Sequence, residues 1–298
     1  MSEASSQNIC NRSFKWVSSV TGDPKVLSAL SQEMMRFYSQ SDDRKSYQEM
    51  LDTQEDLTLE SESVRHLMPM YVCESNASSI LEVGCGNGRV YRQIRDYGYA
   101  GLYTGVEPAE FIISQNKERH PEAGWECAGV YEMPFQDNTF ELCYSLYVLE
   151  HLVYPEKALR EMLRVLRPGG RLVLVFPDFA ESGRFASQLL GLSPINTATK
   201  KLRSGRIVDA LLSLYDSRIR LPRALKSATQ KHGKFPVNIA PLCLSYPTML
   251  EADVDAVYIA SKSEVHEWAI SNGHSVEYPC GSDGEFSEHA FMVINKDS

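Results

Sequence analysis

The 298-residue sequence predicts an α/β fold: a seven-stranded, mostly parallel sheet with helices on both faces, an antiparallel hairpin at one edge and a helical insertion. Three observations support this. From Ser79 to Phe176, short apolar runs alternate with segments of helical periodicity, the pattern of parallel strands joined by crossover helices. The first run, Ile80-Leu81-Glu82-Val83, leads into a glycine-rich turn that opens a helix. Two further strand-like runs, close together, follow near residue 298.

The part before Ser79 reads as helical. Residues 1 to about 20 are polar and are expected to form a mobile tail. Asp23-Pro24 offers an N-cap followed by proline at the first helical position, and apolar periodicity runs on to Tyr38. Ser39 to Leu59 is polar and acidic, with room for one or two short helices, and a further helix is expected over Leu59–Cys73. Residues 1–75 are thus expected to form a cover. Met34, Met35, Phe37, Tyr38 and Tyr47 suit core packing or the lining of a substrate pocket.

Residues 76–180 carry the α/β core. Strands are expected at Ile80–Val83, Leu102–Val106, Trp125–Val130, Phe140–Leu146 and Arg171–Phe176, with helices over Arg89–Tyr97, Ala109–Arg119 and Pro155–Leu166. Arg167-Pro168-Gly169-Gly170 marks the turn before the fifth strand. Residues 181–250 break the alternation and hold helical patches at Arg206–Tyr215 and Arg223–Lys231. Residues 251–298 return to the core: a helix over Ser263–Asn272 with Gly273 as its C-cap, then strands at His274–Tyr278 and His289–Asn295.

Composition narrows the function. Apolar residues make up 43% of the chain, enough for a core that needs no covalent staples. The seven cysteines contain no CxxC pair, so neither a zinc site nor a dithiol motif is expected, and they fit reduced thiols in the cytoplasm. No stretch reaches the ~20 apolar residues of a membrane span, and the first residues lack the apolar run of a signal peptide. The net charge of −9 disfavours nucleic acid, which needs clustered cations. Neither a membrane nor a nucleic acid is therefore expected as partner.

The strongest local signal is Gly84-Cys85-Gly86-Asn87-Gly88 after a strand. Glycines let the backbone adopt positive φ and let a ligand approach the main chain. The spacing is GxGxG; a dinucleotide fingerprint would need glycine at position 89, which is Arg89. Glu82, two residues before the first glycine, could accept hydrogen bonds from a cationic ligand group or orient the loop. Glu107 ends the second strand, 23 residues after Gly84, where a carboxylate can accept both hydroxyls of a ribose.

With these residues in view, residues 79–178 resemble the class I S-adenosylmethionine (SAM)-dependent methyltransferases, whose fold is Rossmann-like. Within that class the similarity is to the type 11 group, which includes ubiquinone and menaquinone biosynthesis enzymes and many natural-product and sugar tailoring enzymes. The motifs are ILEVGCGNGRV, GVEP, GVYEMPFQDNTFELCYSLYVLEHL and LREMLRVLRPGGRLVLVFPD, in that order. The resemblance implies that Gly84, Gly86 and the backbone from Cys85 through Asn87 to Gly88 lie against the methionine end of SAM. It implies that Glu107, with Pro108 after it, holds the ribose, that Val130 and Tyr131 flank the adenine, and that Leu146 offers its backbone to the cofactor. Family members often carry an acid near the position of Gly129; this chain does not, which leaves adenine recognition to backbone groups or Glu132. S-adenosylhomocysteine would be the product, and no metal is required.

The same resemblance puts His151 near the transferred methyl group, as candidate general base. In some tailoring relatives a histidine here pairs with an aspartate after the fifth strand, for which Asp178 is the nearest match; His151 could equally bridge helix and loop. His232 in the insertion is an alternative base, and His266 a more structural one. Between Lys200 and Lys234 ten Lys or Arg stand against two acids. Such a run is commonly a solvated face, but it also suits a lid in which Arg218, Arg220 and Arg223 hold an anionic or carrier-bound acceptor. The expected activity is methylation of a small molecule, most simply at a hydroxyl. N- or C-methylation and a non-catalytic SAM-binding role remain open. A nucleotide-dependent oxidoreductase lacks its fingerprint here. A nucleic-acid amine methyltransferase would carry (N/D)PP(Y/F) where this chain has Ser145-Leu146-Tyr147-Val148.

Overall fold

A computed structural model of the chain describes residues 15–39, 63–185, 198–245, 253–281 and 288–297. Most of the expected tail, the short helices expected within 39–59, and Tyr47 lie outside the described residues. The described elements run β1 (Trp16–Ser18), α1 (Pro24–Ser39), α2 (Val64–Glu74), β2 (Ser79–Val83), α3 (Arg89–Asp96), β3 (Leu102–Glu107), α4 (Glu110–Arg119), β4 (Gly124–Cys127) and β5 (Phe140–Leu146). They continue with α5 (Pro155–Val165), β6 (Leu166–Pro177), α6 (Phe179–Ser182), α7 (Ala198–Arg203), α8 (Ile207–Tyr215), α9 (Leu221–His232), β7 (Pro236–Asn238), α10 (Leu242–Ser245), α11 (Lys262–Ser271), β8 (Ser275–Glu277) and β9 (His289–Asn295).

Seven strands form one sheet in the order β4-β3-β2-β5-β6-β9-β8. β2 to β6 are parallel, and β9 runs antiparallel to both β6 and β8. The expected mostly parallel sheet with an antiparallel edge pair is therefore present. The central strands are apolar on both faces because helices cover both sides. One core cluster joins Leu81, Cys143 and Leu174 to α5 and α11; the other joins Ile80, Tyr144 and Val173 to α2 and α3. The order reverses across β2, flanked by β3 and β5, and this is the switch point where open α/β sheets form a crevice.

Three boundaries differ from the sequence expectation. β4 ends at Cys127, so Val130 and Tyr131 sit in the following loop. β6 begins at Leu166: the ladder with β5 jumps from Phe140–Leu166 to Leu142–Arg171, and the Arg167–Gly170 segment bulges out inside the strand. In the insertion, α8 and α9 join through a π-helical turn at Asp216–Arg220. Pro222 explains the join, because it has no N–H to bond back to the preceding turn.

A second, two-stranded sheet pairs β1 with β7, Trp16 opposite Asn238. It places the chain after α9 against the core. Asn238 N donates to Val257 O at 2.6 Å, and Val257 N and Tyr258 N donate to Glu150 O at 2.8 and 2.9 Å. No helix of the described residues is long and apolar enough to cross a membrane.

Candidate functional site

The glycine turn is held by its neighbours. Gly84 N and Cys85 N donate to Val106 O at 2.8 and 3.0 Å, tying the end of β2 to β3. Gly84 has φ +74°, and a Cβ there would lie 2.4 Å from Val148 Cγ2. A side chain is thus excluded by both conformation and space. Gly86 N donates to Glu107 Oε2 at 3.2 Å, and buried Asn116 Nδ2 donates to Gly86 O at 2.8 Å. Gly88, also at positive φ, begins α3 and packs beneath the turn toward the Trp125 ring.

Two buried carboxylates flank the turn. Glu82 Oε2 accepts from Tyr103 Oη at 2.5 Å and Tyr144 Oη at 3.1 Å. Burial pushes its pKa up to about 8, which keeps it largely neutral at pH 7. Glu82 thereby links β2 to β3 and β5 beneath the loop. Glu107, at the end of β3, is buried with its carboxylate on the turn.

A cavity of about 440 Å³ opens outside the carboxyl ends of β2, β3, β5 and β6. Glu82 and the turn from Gly84 through Cys85 and Gly86 to Asn87 form one part of its wall. Glu107 and Pro108 form the next part, then Val130 and Tyr131 from the loop, and Leu146 at the end of β5. Past Leu146 the wall continues into Tyr147, His151, Asp253, Asp255 and His289. Helix α1 adds Met34, Met35 and Tyr38, and α2 adds Arg65.

His151 sits in a 3-10 turn, Leu149–His151, directly after β5. Its Nδ1 lies 3.5 Å from Asp255 Oδ1, and its Nε2 lies 3.7 Å from Glu150 Oε1. Tyr38 Oη donates to Asp255 Oδ2 at 2.6 Å. Burial opposes protonation of His151, but Asp255, Glu150 and Asp253 outweigh it and raise its pKa. Glu150 is fully buried behind the turn, and neither of its carboxylate oxygens has a hydrogen-bond donor. Burial pushes its pKa up to about 8.

Across the cavity, Tyr147 Oη faces His289 Nδ1 at 3.5 Å, and the Arg65 guanidinium lies 4.4 Å over the Tyr147 ring. Tyr147 and Asp253 both have positive φ, 56° and 58°. Non-glycine residues held in that region cluster at functional sites. Burial raises the pKa of Asp253 and lowers that of His289.

Several residues singled out by sequence sit apart from this wall. Asp178 caps α6: its Oδ1 accepts from Glu181 N at 3.1 Å and its Oδ2 from Lys262 N at 3.4 Å. The carboxylate beside His151 is Asp255. His232 ends α9, half-buried, and His266 stacks on Tyr278 with its Nδ1 2.9 Å from the hydroxyl. Arg218 and Arg223 are exposed and Arg220 pairs with Asp216, and none of the three is among the cavity-lining residues. Asp253, Asp255, Arg65, Tyr147 and His289 were not anticipated. The signal for the first two was present: two acids stand at the head of Val254–Ala260, an otherwise apolar and fully buried run. Among the described residues, no group of three or more His, Cys, Asp or Glu is suited to hold a metal.

Residues 81–174 match the family model described as a methyltransferase domain. The chain is 33% identical over 98 residues to sterol 4-C-methyltransferase of Caenorhabditis elegans, a match covering 32% of this chain and 29% of that one. It is 38% identical over 96 residues to demethylmenaquinone methyltransferase of Chlamydia trachomatis, covering 31% and 42%. It is 32% identical over 110 residues to rice (Oryza sativa) cycloartenol-C-24-methyltransferase, covering 35% and 32%. The matches thus span less than half the length of each of these relatives. The central α/β segment is a methyltransferase domain of the class I, SAM-dependent kind.

Proposed function

We propose that the protein transfers a methyl group from SAM to a hydroxyl of a small molecule, with His151 as general base and Asp255 as its partner. The observation that carries this reading is one continuous cavity whose wall runs from the glycine turn and Glu107 to the His151–Asp255 pair. The turn fits SAM because its glycines leave no side chain between backbone and ligand. Glu107 fits because a strand-end carboxylate can accept the two ribose hydroxyls. Val130 and Tyr131 offer an apolar slot for a base. When bound, SAM supplies an electrophilic methyl group on a sulfonium centre.

The chain then has to align the acceptor and take its proton. Tyr38 from α1 lines the cavity beside the His151–Asp255 pair, its hydroxyl on Asp255. Nδ1 of His151 stands 3.5 Å from Asp255 Oδ1 without a formed hydrogen bond; closing that gap would fix the proton on Nδ1 and leave Nε2, 3.7 Å from Glu150, to accept the hydroxyl proton. As the proton arrives, Asp255 stabilises the imidazolium, and Tyr38 holds Asp255 in place. Alignment supplies much of the remaining acceleration. A role in secondary-metabolite or sugar biosynthesis suits such a polar acceptor end.

A second reading is carbon methylation of an apolar acceptor. Met34, Met35, Val148, Leu152 and Val153 in the cavity wall favour it. So do relatives named for sterol and quinone substrates.

Calorimetric titration with SAM and S-adenosylhomocysteine tests the cofactor half. Glu107→Ala should weaken both by about 10- to 100-fold, the loss expected for a hydrogen-bonded charge. Unchanged affinity removes Glu107 from the site. Methyl transfer from labelled SAM to a panel of alcohols, enols and amines tests the acceptor half. Products methylated only at carbon or nitrogen overturn the hydroxyl reading.

A further inference from the structure

Helix α8 is built the wrong way round for a helix packed on a protein core. Its apolar side chains face outward: Ile207 is 60% exposed, Val208 67%, Leu211 59% and Tyr215 50%. Ile219, in the π turn that follows, extends the same row. Its polar side chains face the protein instead. Ser213 Oγ receives a hydrogen bond from Lys201 Nζ, whose residue is buried, while Asp209 and Asp216 pair with Arg206 and Arg220. In a surface helix the apolar stripe ordinarily faces the core.

The insertion that carries this apolar row is also rich in exposed cations. With two acids in the segment, both already paired, Arg203, Arg218, Arg223, Lys226 and Lys231 are exposed on α7, the π turn and α9 of the same insertion. An outward apolar row in a segment with many exposed lysines and arginines is the chemistry of a helix lying in a lipid headgroup layer. Two alternatives fit less well. A symmetric contact between two copies would bring the same cation-rich surfaces together. A nucleic acid would use the cations and leave Val208, Leu211 and Tyr215 without a partner.

We propose that the α7–α9 insertion docks the protein on the surface of an anionic bilayer, with the outer face of α8 in the headgroup layer and the flanking cations on the lipid phosphates and carboxylates. No span is implied. The remaining, acidic part of the chain is repelled from the same surface, which fixes the face presented to it.

Sedimentation of the full chain with phosphatidylcholine vesicles, with and without phosphatidylserine, tests the proposal. Binding is expected only with phosphatidylserine and should fall as salt is raised. Val208→Glu with Leu211→Glu, and separately Lys226→Glu with Lys231→Glu, should each weaken it by about tenfold or more. Circular dichroism and SAM titration of both variants check that the fold is intact. No binding to either vesicle overturns the proposal, as does binding that neither pair alters. A dimer in the absence of lipid that Val208→Glu with Leu211→Glu dissociates, with no vesicle binding, reassigns the face to self-association.

Discussion

Asp255 carries two contacts on one carboxylate: Oδ1 lies 3.5 Å from His151 Nδ1, and Oδ2 accepts from Tyr38 Oη at 2.6 Å. Three distant segments meet at this group: α1, the turn after β5, and the run that follows the insertion. Asp255 is a leading contributor to the raised pKa of His151. A general base must be unprotonated, so activity rises with pH through that pKa. Asp255→Asn should move the acidic limb of the kcat/KM profile to lower pH while lowering kcat, as the imidazolium loses its counter-charge. His151→Gln should lower kcat by about 10²-fold or more. A pH–rate series on the three proteins checks both, and an acidic limb that stays in place in Asp255→Asn removes the pair from the proton transfer.

Glu150 makes a prediction about stability. Its folded pKa is raised to about 8, above the ordinary carboxylate value, because burial disfavours the charge. The folded state therefore holds this proton where the unfolded chain has lost it, and stability falls as pH rises between those two values. Glu150→Gln keeps the shape without the charge. Urea midpoints across that range should fall less steeply with pH in the variant than in the parent, with Glu82 and the other buried carboxyls, Asp178, Asp253 and Glu264 among them, contributing to the slope that remains.

Gly84→Ala should disrupt the turn, since the new methyl group meets Val148 Cγ2 at 2.4 Å and positive φ adds strain of about 1–3 kcal/mol. SAM affinity and melting temperature should both fall. Val148→Ala in the same chain removes the contact and should recover part of the stability. If the double variant melts no higher than the single one, steric overlap is not the cause.

Asp178→Ala should cost about 0.5–2 kcal/mol, the range for a lost helix N-cap. Its two backbone bonds join α6 to the start of α11 and do not reach His151. kcat and its pH profile should stay close to the parent. A shifted pH profile would return Asp178 to the reaction.

The sheet was largely legible because each strand from Ile80 to Phe176 is a short apolar run with a helical segment after it, and local pattern suffices for that. The cofactor wall was legible for the same reason: Gly84, Gly86 and Glu107 stand at strand ends whose spacing the fold dictates. β4 was overextended because Ala128 and Val130 continue the apolar pattern into the loop. Asp255 was missed because its contact with His151 depends on how β1, β7 and the buried run Val254–Ala260 dock after the insertion, which is not a local property. The basic segment was legible as charge, but the outward face of α8 was not. Periodicity reveals a stripe without saying which way it points.

The position of β9 bears on how the molecule comes into being. The strand lies inside the sheet, between β6 and β8, although it is the last in chain order of the nine strands among the described residues. While the chain emerges from the ribosome, β6 exposes an unpaired apolar edge until Asn295 has been synthesised. The glycine turn can form early beside β3, whereas the hydrophobic layer under β6 has to wait for the whole insertion and the final strand. Damage to β9 would therefore act first on yield and aggregation during biosynthesis, before any effect on the chemistry at Glu107 or His151.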